Sequence, residues 1–321
     1  MFKAKHSDNS GIKIPQTNKH IKWTDRHIQI PKLGKVKWVY HRRIKGRVLS
    51  ITIKRDVDHW YVSVLADQGK INQNTSFNEN DCIGIDSGLK DFAITSDGEV
   101  FETPKFFRKK QKKLARIQRI HSRRKKQSKN RDKQRIKLAK LHRKIRFQRS
   151  DLHHKISYVI TKHNKVVFVE DLNVRGMIKN HKLAKAIQDQ GWSQFNNYMK
   201  YKLDWKGDLL YKINRWAPST KTCSCCGSIK SMTLDQRVYV CSECGHVMDR
   251  DLNAAINIKT FGINEINRAG TVQIHACGAT TNGGASSDVS SYVASENGEA
   301  GINSLVGGIL SLASSGSPRI G

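Results

Sequence analysis

The sequence predicts an α/β fold: a mixed sheet with helices, an inserted basic helical hairpin and a zinc ribbon, preceded by a small β-rich domain. Three observations carry that reading. Two short apolar runs end in acids: Asp81–Asp86 reads as a strand, and Val166–Val169, closed by Glu170, as a strand buried on both faces. Residues 105–149 hold 22 Lys or Arg against one acid, Asp132, with apolar residues at helical spacing. Two C-x-x-C knuckles, Cys223/Cys226 and Cys241/Cys244, flank a spacer of 14 residues, the pattern of a structural zinc site.

The 58 Lys and Arg against 27 Asp and Glu give a formal net charge of +31 over 321 residues. That charge repels itself in a compact state unless a polyanion is the usual partner. Nucleic acid is the leading candidate, and an anionic membrane surface is the alternative. No run reaches the roughly 18 apolar residues of a membrane span. The start, Met1-Phe-Lys-Ala-Lys-His-Ser, lacks the apolar core of a signal peptide. Leu305–Leu312 is too short to cross a bilayer. An odd count of seven cysteines, four at zinc spacing, points to a reducing compartment rather than a secreted disulfide scaffold.

In chain order, residues 1–80 are basic and strand-like. Val36–Tyr40, Arg47–Lys54 and Trp60–Ala66 are β-branched or aromatic runs with partial alternation, the mark of a small barrel or sheet. Asp81 opens a new unit: a short strand to Asp86, a Gly turn, and a second strand through Phe92–Thr95. In 105–149, Leu114, Ile117 and Ile120 share one helical face, and Leu138, Leu141 and Ile145 another. Gln127–Asn130 breaks the pattern, so a helical hairpin with one thin apolar seam is expected. A phosphate backbone alongside would relieve its like charges, with Arg123, Arg124, Lys125, Lys126, Lys129 and Arg131 as expected contacts. Leu183–Trp205 reads as one amphipathic helix whose aromatics are core. Leu209–Ile213 reads as a strand, and Asp251–Thr260 as a helix. From about residue 269 to 321 the Gly-, Ser- and Asn-rich tail is expected to be disordered.

Four thiolates close a tetrahedron around Zn²⁺ and leave no position for a catalytic water, so the zinc, in residues 216–247, is structural. Chemistry is sought instead among acids. Asp86 precedes a Gly turn, Glu170 ends a buried strand and Asp251 opens a helix, positions that can converge on one sheet edge. In so basic a chain, three converging acids need a cation. Oxygen ligands without a histidine motif suit Mg²⁺ or Mn²⁺, and two such ions cut phosphodiesters. Each acid alone could be a turn or capping residue.

Gly84-Ile-Asp86-Ser-Gly-Leu-Lys, Val169-Glu170-Asp-Leu-Asn-Val-Arg-Gly-Met, His181-Lys-Leu-Ala-Lys-Ala-Ile, Ser219-Thr-Lys-Thr-Cys223 and Asp249-Arg-Asp251-Leu-Asn-Ala-Ala-Ile-Asn-Ile resemble the TnpB (OrfB) proteins of small bacterial insertion sequences. The likeness runs over about residues 30–280. It implies a RuvC-like, ribonuclease-H-fold nuclease in segments 81–215 and 248–268, with a zinc ribbon before the third acid. It also implies RNA-guided DNA cleavage, with DNA and a transposon-derived guide RNA as partners, and a bacterial, nucleoid-associated cytoplasmic setting. Asp86, Glu170 and Asp251 fall on the family's metal-binding acids, with Asp249 ranked second for the third position. Cys223, Cys226, Cys241 and Cys244 fall on the zinc ligands. Cys225 stands where a small polar residue is common, and could compete for zinc. Ser87 stands where an apolar residue is common. The family's helical recognition insertion is expected to be largely missing, so a second reading stays open: a truncated, non-cleaving nucleic-acid-binding accessory protein or regulator of transposition.

Overall fold

The computed structural model describes residues 11–15, 20–103, 106–233, 235–270, 272–275 and 308–312. The chain divides into two compact units. One comprises Met1–Lys70, Ile117–Leu141 and Val293–Gly321; the other comprises Ile71–Arg116 and His142–Tyr292.

The first unit holds β1 (Ile12–Pro15), β2 (Lys22–Trp23), β3 (His27–Ile30), β4 (Gly34–Lys37), β5 (Arg47–Asp56) and β6 (His59–Asp67). β2, β3 and β4 form one antiparallel sheet, while β1, β5 and β6 form another. The core follows from side-chain alternation. Val48, Ile51 and Ile53 of β5 and Val62, Val64 and Ala66 of β6 meet Ile28, Ile30 and Trp38. A bulge between Val48 and Ser50 resets the register, so Leu49 lies outward.

The basic segment is a helical hairpin of α1 (Phe106–Arg123) and α2 (Lys129–His163). Its turn contains Gln127 at φ 63°. The backbone amide of Arg131 donates to Ser128 Oγ at 3.2 Å, opening α2. The second arm runs past residue 149 to His163, because Ile156 and Ile160 keep an apolar stripe facing the core. The tip lies in the first unit, where Lys140 pairs with Asp58 at 2.7 Å.

The second unit holds β7 (Ser76–Asn78), β8 (Cys82–Asp86), β9 (Asp91–Thr95), β10 (Val100–Glu102), β11 (Val166–Glu170) and β12 (Leu209–Ile213). Its main sheet has the order β10-β9-β8-β11-β12. β8, β11 and β12 are parallel neighbours, and β9 and β10 are antiparallel. Helices cover both faces, hence the unbroken apolar runs. Ile83, Ile85, Val167 and Val169 face one core with Ile156, Ile160, Phe195 and Met199. Cys82, Val166 and Phe168 face the other, with Ile258 and Ile266 of α6 (Arg250–Ala269).

Three sequence expectations are corrected. After the short α3 (Val174–Met177), the helix expected over Leu183–Trp205 is two helices, α4 (Ala184–Gln190) and α5 (Trp192–Asp204). Gly191, at φ 65°, caps the first and turns the chain. The domain boundary expected at residue 80 falls near Lys70, because β7 pairs in parallel with β15 (Gln273–His275) of the second unit. That same strand, with buried Ile274, lies where the disordered tail was expected. A further strand, Gly308–Leu312, pairs antiparallel with β6. Residues 276–307 and 313–321 of that expected tail lie outside the described residues. Among the described residues no helix is long and apolar enough to cross a membrane.

Candidate metal centres

Strand parity places two of the expected acids. On β8, Cys82, Gly84 and Asp86 alternate to one face; on β11, Val166, Phe168 and Glu170 do the same. The parallel register sets Val169 opposite Ile85, so the acids that follow end adjacent strands on the face covered by α6. α6 presses unusually close to this face. A Cβ on Gly84 would lie 2.2 Å from the Ala255 carbonyl oxygen, and one on Gly262 2.0 Å from the Phe168 ring. Asp251 is one turn before Ala255 on the same stripe, and so overhangs the strand ends.

The electrostatics register this proximity. The Asp86 carboxyl is pushed up to about 8, first by desolvation, then by the charges of Glu170 and Asp251; Arg250 and a backbone hydrogen bond at Ser87 oppose the shift. Glu170 Oε1 accepts from Ser219 Oγ at 2.7 Å. Arg250 donates to Asp251 Oδ1 from Nε at 2.9 Å and Nη2 at 2.7 Å, and Arg237 Nη1 lies 3.5 Å from Oδ2. Asp249, the alternative third acid, caps α6: its side chain accepts from the amides of Asp251 and Leu252. Among the described residues the three carboxylates do not close to a common metal-ligand spacing. A crowded carboxyl that holds its proton near neutral pH nevertheless fits a cation site, because a cation removes the repulsion that raises it.

The four knuckle cysteines do close. Their sulfurs lie within 4.8 Å of one another, with Cys223–Cys244 at 3.7 Å and Cys226–Cys241 at 3.6 Å. Tetrahedral Zn–S bonds of about 2.3 Å put the sulfurs about 3.8 Å apart, so the set fits zinc. Cys225 is exposed and stands outside the cluster. β13 (Val238–Val240) pairs antiparallel with β14 (Val247–Asp249). Tyr239 between the knuckles is buried, its hydroxyl donating to the Lys221 carbonyl at 3.1 Å. It is ribbon core rather than a surface contact.

Sequence reasoning passed over the residues that join the two centres. Buried Asn253 accepts from the Ser224 amide at 3.0 Å and donates to the Thr222 carbonyl at 2.7 Å. Asn257 donates to the carbonyls of Ser219, at 2.8 Å, and Thr222. Two asparagines four apart inside a helix are a legible signal, since Asn disfavours helix interiors unless its amide is used elsewhere. They moor the first knuckle to the helix that carries Asp251. The expected phosphate contacts Arg123, Arg124, Lys125, Lys126 and Lys129 are exposed at the hairpin turn, whereas Arg131 is half-buried and donates to the Arg124 carbonyl.

A family model described as "OrfB_IS605: Probable transposase" matches residues 56–181, and one described as "Cas12f1-like, TNB domain" matches residues 192–258. Escherichia coli K12 has a relative, "Putative RNA-guided DNA endonuclease InsQ", 32% identical over an alignment of 275 residues that covers 80% of this chain and 67% of that protein. The chain belongs to the TnpB/OrfB family. Another relative, a "Putative RNA-guided DNA endonuclease" of Streptomyces pristinaespiralis, is 38% identical over 67% of this chain and 53% of its own length. The chain thus spans between about half and two thirds of these TnpB-type relatives. A solved "Cas12f1-sgRNA-target DNA complex" overlaps with a TM-score of 0.47 at 19% identity, covering 66% of this chain and 45% of that one. That overlap adds nothing to the TnpB/OrfB assignment.

Proposed function

We propose that this chain is a transposon-associated, RNA-guided DNA endonuclease that depends on divalent metal and acts through a RuvC-like, ribonuclease-H-type sheet. The observation that carries the reading is Asp86, Glu170 and Asp251 gathered on the α6 side of one sheet edge, close enough for two acids to raise the third. The order of three antiparallel strands followed by two parallel ones supports the ribonuclease-H-like assignment. The names of the relatives support the substrate and the guide.

Asp86, Glu170 and Asp251 would hold Mg²⁺ or Mn²⁺, which supplies Lewis acidity and an activated water for phosphodiester hydrolysis, in a two-ion arrangement. Ser219 orients Glu170, and the mooring of α6 to the ribbon sets where Asp251 stands. Arg250 and Arg237 neutralise Asp251, and would yield part of that contact if Asp251 held a metal ion. The hairpin turn supplies phosphate contacts, and the β-rich unit lies on the nucleic-acid path.

A second reading, a non-cleaving nucleic-acid-binding regulator, is favoured by one observation: the arginines already occupy Asp251. Purified chain is incubated with DNA and Mn²⁺, with and without transcript from the element's end, beside Asp86→Ala. Metal-dependent cleavage lost in Asp86→Ala supports the nuclease. Binding without cleavage by either protein establishes the regulator.

A further inference from the structure

Trp216 is 85% exposed, more than any other large apolar side chain among the described residues. A singly exposed apolar side chain says little by itself; the mount of this one says more. It stands on the turn that leaves β12, at the carboxyl end of the main sheet, just past the point where Ile213 lies opposite Glu170 in parallel register. Residues on either side of it are tied to the two acids that close β11. Arg215 donates from Nε to the Asp171 carbonyl at 3.0 Å, and its guanidinium also pairs with the Asp171 carboxylate. Ser219 Oγ donates to Glu170 Oε1. The Asn214 amide donates to the Glu265 carboxylate of α6 at 3.2 Å. Within the turn, the Trp216 amide donates to Asn214 Oδ1 at 2.9 Å, and the Ala217 amide to the Asn214 carbonyl at 3.0 Å. Pro218 fixes one more backbone angle, and Ser219 is buried.

A turn so constrained presents the indole to solvent with little backbone freedom left to lose on binding. Trp216 is three residues from Ser219, so their Cα atoms lie within about 11 Å of each other. A bare, flat, apolar ring held that near Glu170 suits a partner that is also flat and apolar. A nucleobase offers such a face when it is unpaired and unstacked, as in a single strand. The net charge of +31 favours a polyanionic strand at this edge and opposes the approach of a second copy of the chain. We propose that Trp216 is a stacking platform for one unpaired base of the strand presented to the carboxylate centre, and so helps set which phosphodiester reaches the acids. The inference rests on the proposed reading of the chain as a nuclease, and adds to it a strand contact separate from the carboxylates and from the hairpin turn.

The test reads binding of the full chain to oligothymidylate and to an abasic strand of equal length, by fluorescence anisotropy in chelator at fixed salt, and reads cleavage separately with Mn²⁺. Trp216→Ala should weaken oligothymidylate binding about tenfold, the scale of one stacked base, and leave abasic binding unchanged. Trp216→Phe, which keeps a ring, should recover most of that loss, and Trp216→Leu, apolar without a ring, should not. Thermal melts and zinc content verify that the variants fold. When a single abasic nucleotide is walked along the strand, wild-type cleavage should dip at one fixed spacing from the cut, and Trp216→Ala should erase the dip. If folded Trp216→Ala keeps the full difference between the two strands, or weakens both alike, the platform is refuted while the nuclease reading stands. A change in sedimentation with base-dependent binding intact assigns the indole to a contact between copies and also refutes it. If Trp216→Ala loses the base-dependent binding but wild type cleaves nothing, the platform stands and the nuclease reading falls. If wild type binds neither strand, both fall.

Discussion

Asp86 stands where desolvation and two neighbouring carboxylates add. A carboxyl raised from 3.8 to about 8 takes up a proton in the folded state that it does not hold when unfolded. By linkage, its share of stability is complete below 3.8 and is lost as pH rises toward about 8. Replacing it with Asn removes that loss. Asp86→Asn in chelated protein at neutral pH should therefore melt higher, with a gain of up to about 4 kcal/mol, while metal-dependent cleavage disappears and nucleic-acid binding persists. A lower melting temperature, or retained cleavage, would remove Asp86 from the proposed centre. Gly84 is the opposite case. Gly84→Ala forces its methyl against the Ala255 carbonyl, so α6 must lift, at about 1–3 kcal/mol. Cleavage should fall with stability, because Asp251 rides on the same helix; a denaturant titration beside a nuclease assay reads both. Asp86 and Glu170 were legible because an acid closing an apolar run conflicts with the pattern around it. Ser219, Arg237 and Arg250 were not. Each meets its carboxylate only after strands and ribbon are in place, and nothing in their local spacing marks them.

Among the elements, the ribbon and α6 behave as one piece. Cys226→Ser removes one of four closely placed sulfurs, and metal binding supplies much of such a ribbon's folding free energy. One zinc per chain should be lost in the variant, with local unfolding of 216–247 seen by hydrogen exchange, and protection at the start of α6 should fall with it. Intact zinc content in Cys226→Ser would show that another thiol, Cys225 above all, takes its place. The knuckles were readable from spacing alone, and so were the central strands, because period-two patterning and thiolate geometry are local codes. The split at Gly191 was missed because the apolar stripe continues across it. Only the left-handed backbone, with His153 and Arg149 packed beside it, reveals the turn. The length of α2 was missed because its apolar residues are sparse and its second half faces a different core from its tip.

At the scale of the whole molecule, two solution behaviours follow. His153 is 1% exposed and stacked on Phe92, and is pushed down to about 4 by desolvation first and then by Arg149, against a backbone hydrogen bond at Gln190. Unfolded, it titrates near 6.5. Its contribution is thus complete above 6.5 and falls away as pH drops toward 4, by up to about 3 kcal/mol. Subtracting the pH–stability curve of His153→Phe from that of wild type isolates it; a flat difference through this window would refute the assignment. The net charge of +31 acts at longer range. If four of Arg123, Arg124, Lys125, Lys126, Lys129 and Arg131 touch duplex phosphates, changing all six to Gln should flatten the log–log salt slope of DNA binding by roughly 3 to 4. The loss should be equal for unrelated sequences, and an unchanged slope would move the contact to the β-rich unit. The pairing of β8 with β11 also sets an order of events at the ribosome. The whole hairpin lies between these neighbours in the chain. The hairpin can form first, from local contacts, and shorten the loop that must close before the strands meet. The sheet still waits for β12, and its second face waits for α6. A nascent chain therefore leaves one side of β11 unpaired until β12 emerges, and one face of the sheet bare until α6 does, which is when it is most exposed to aggregation and to chaperone capture.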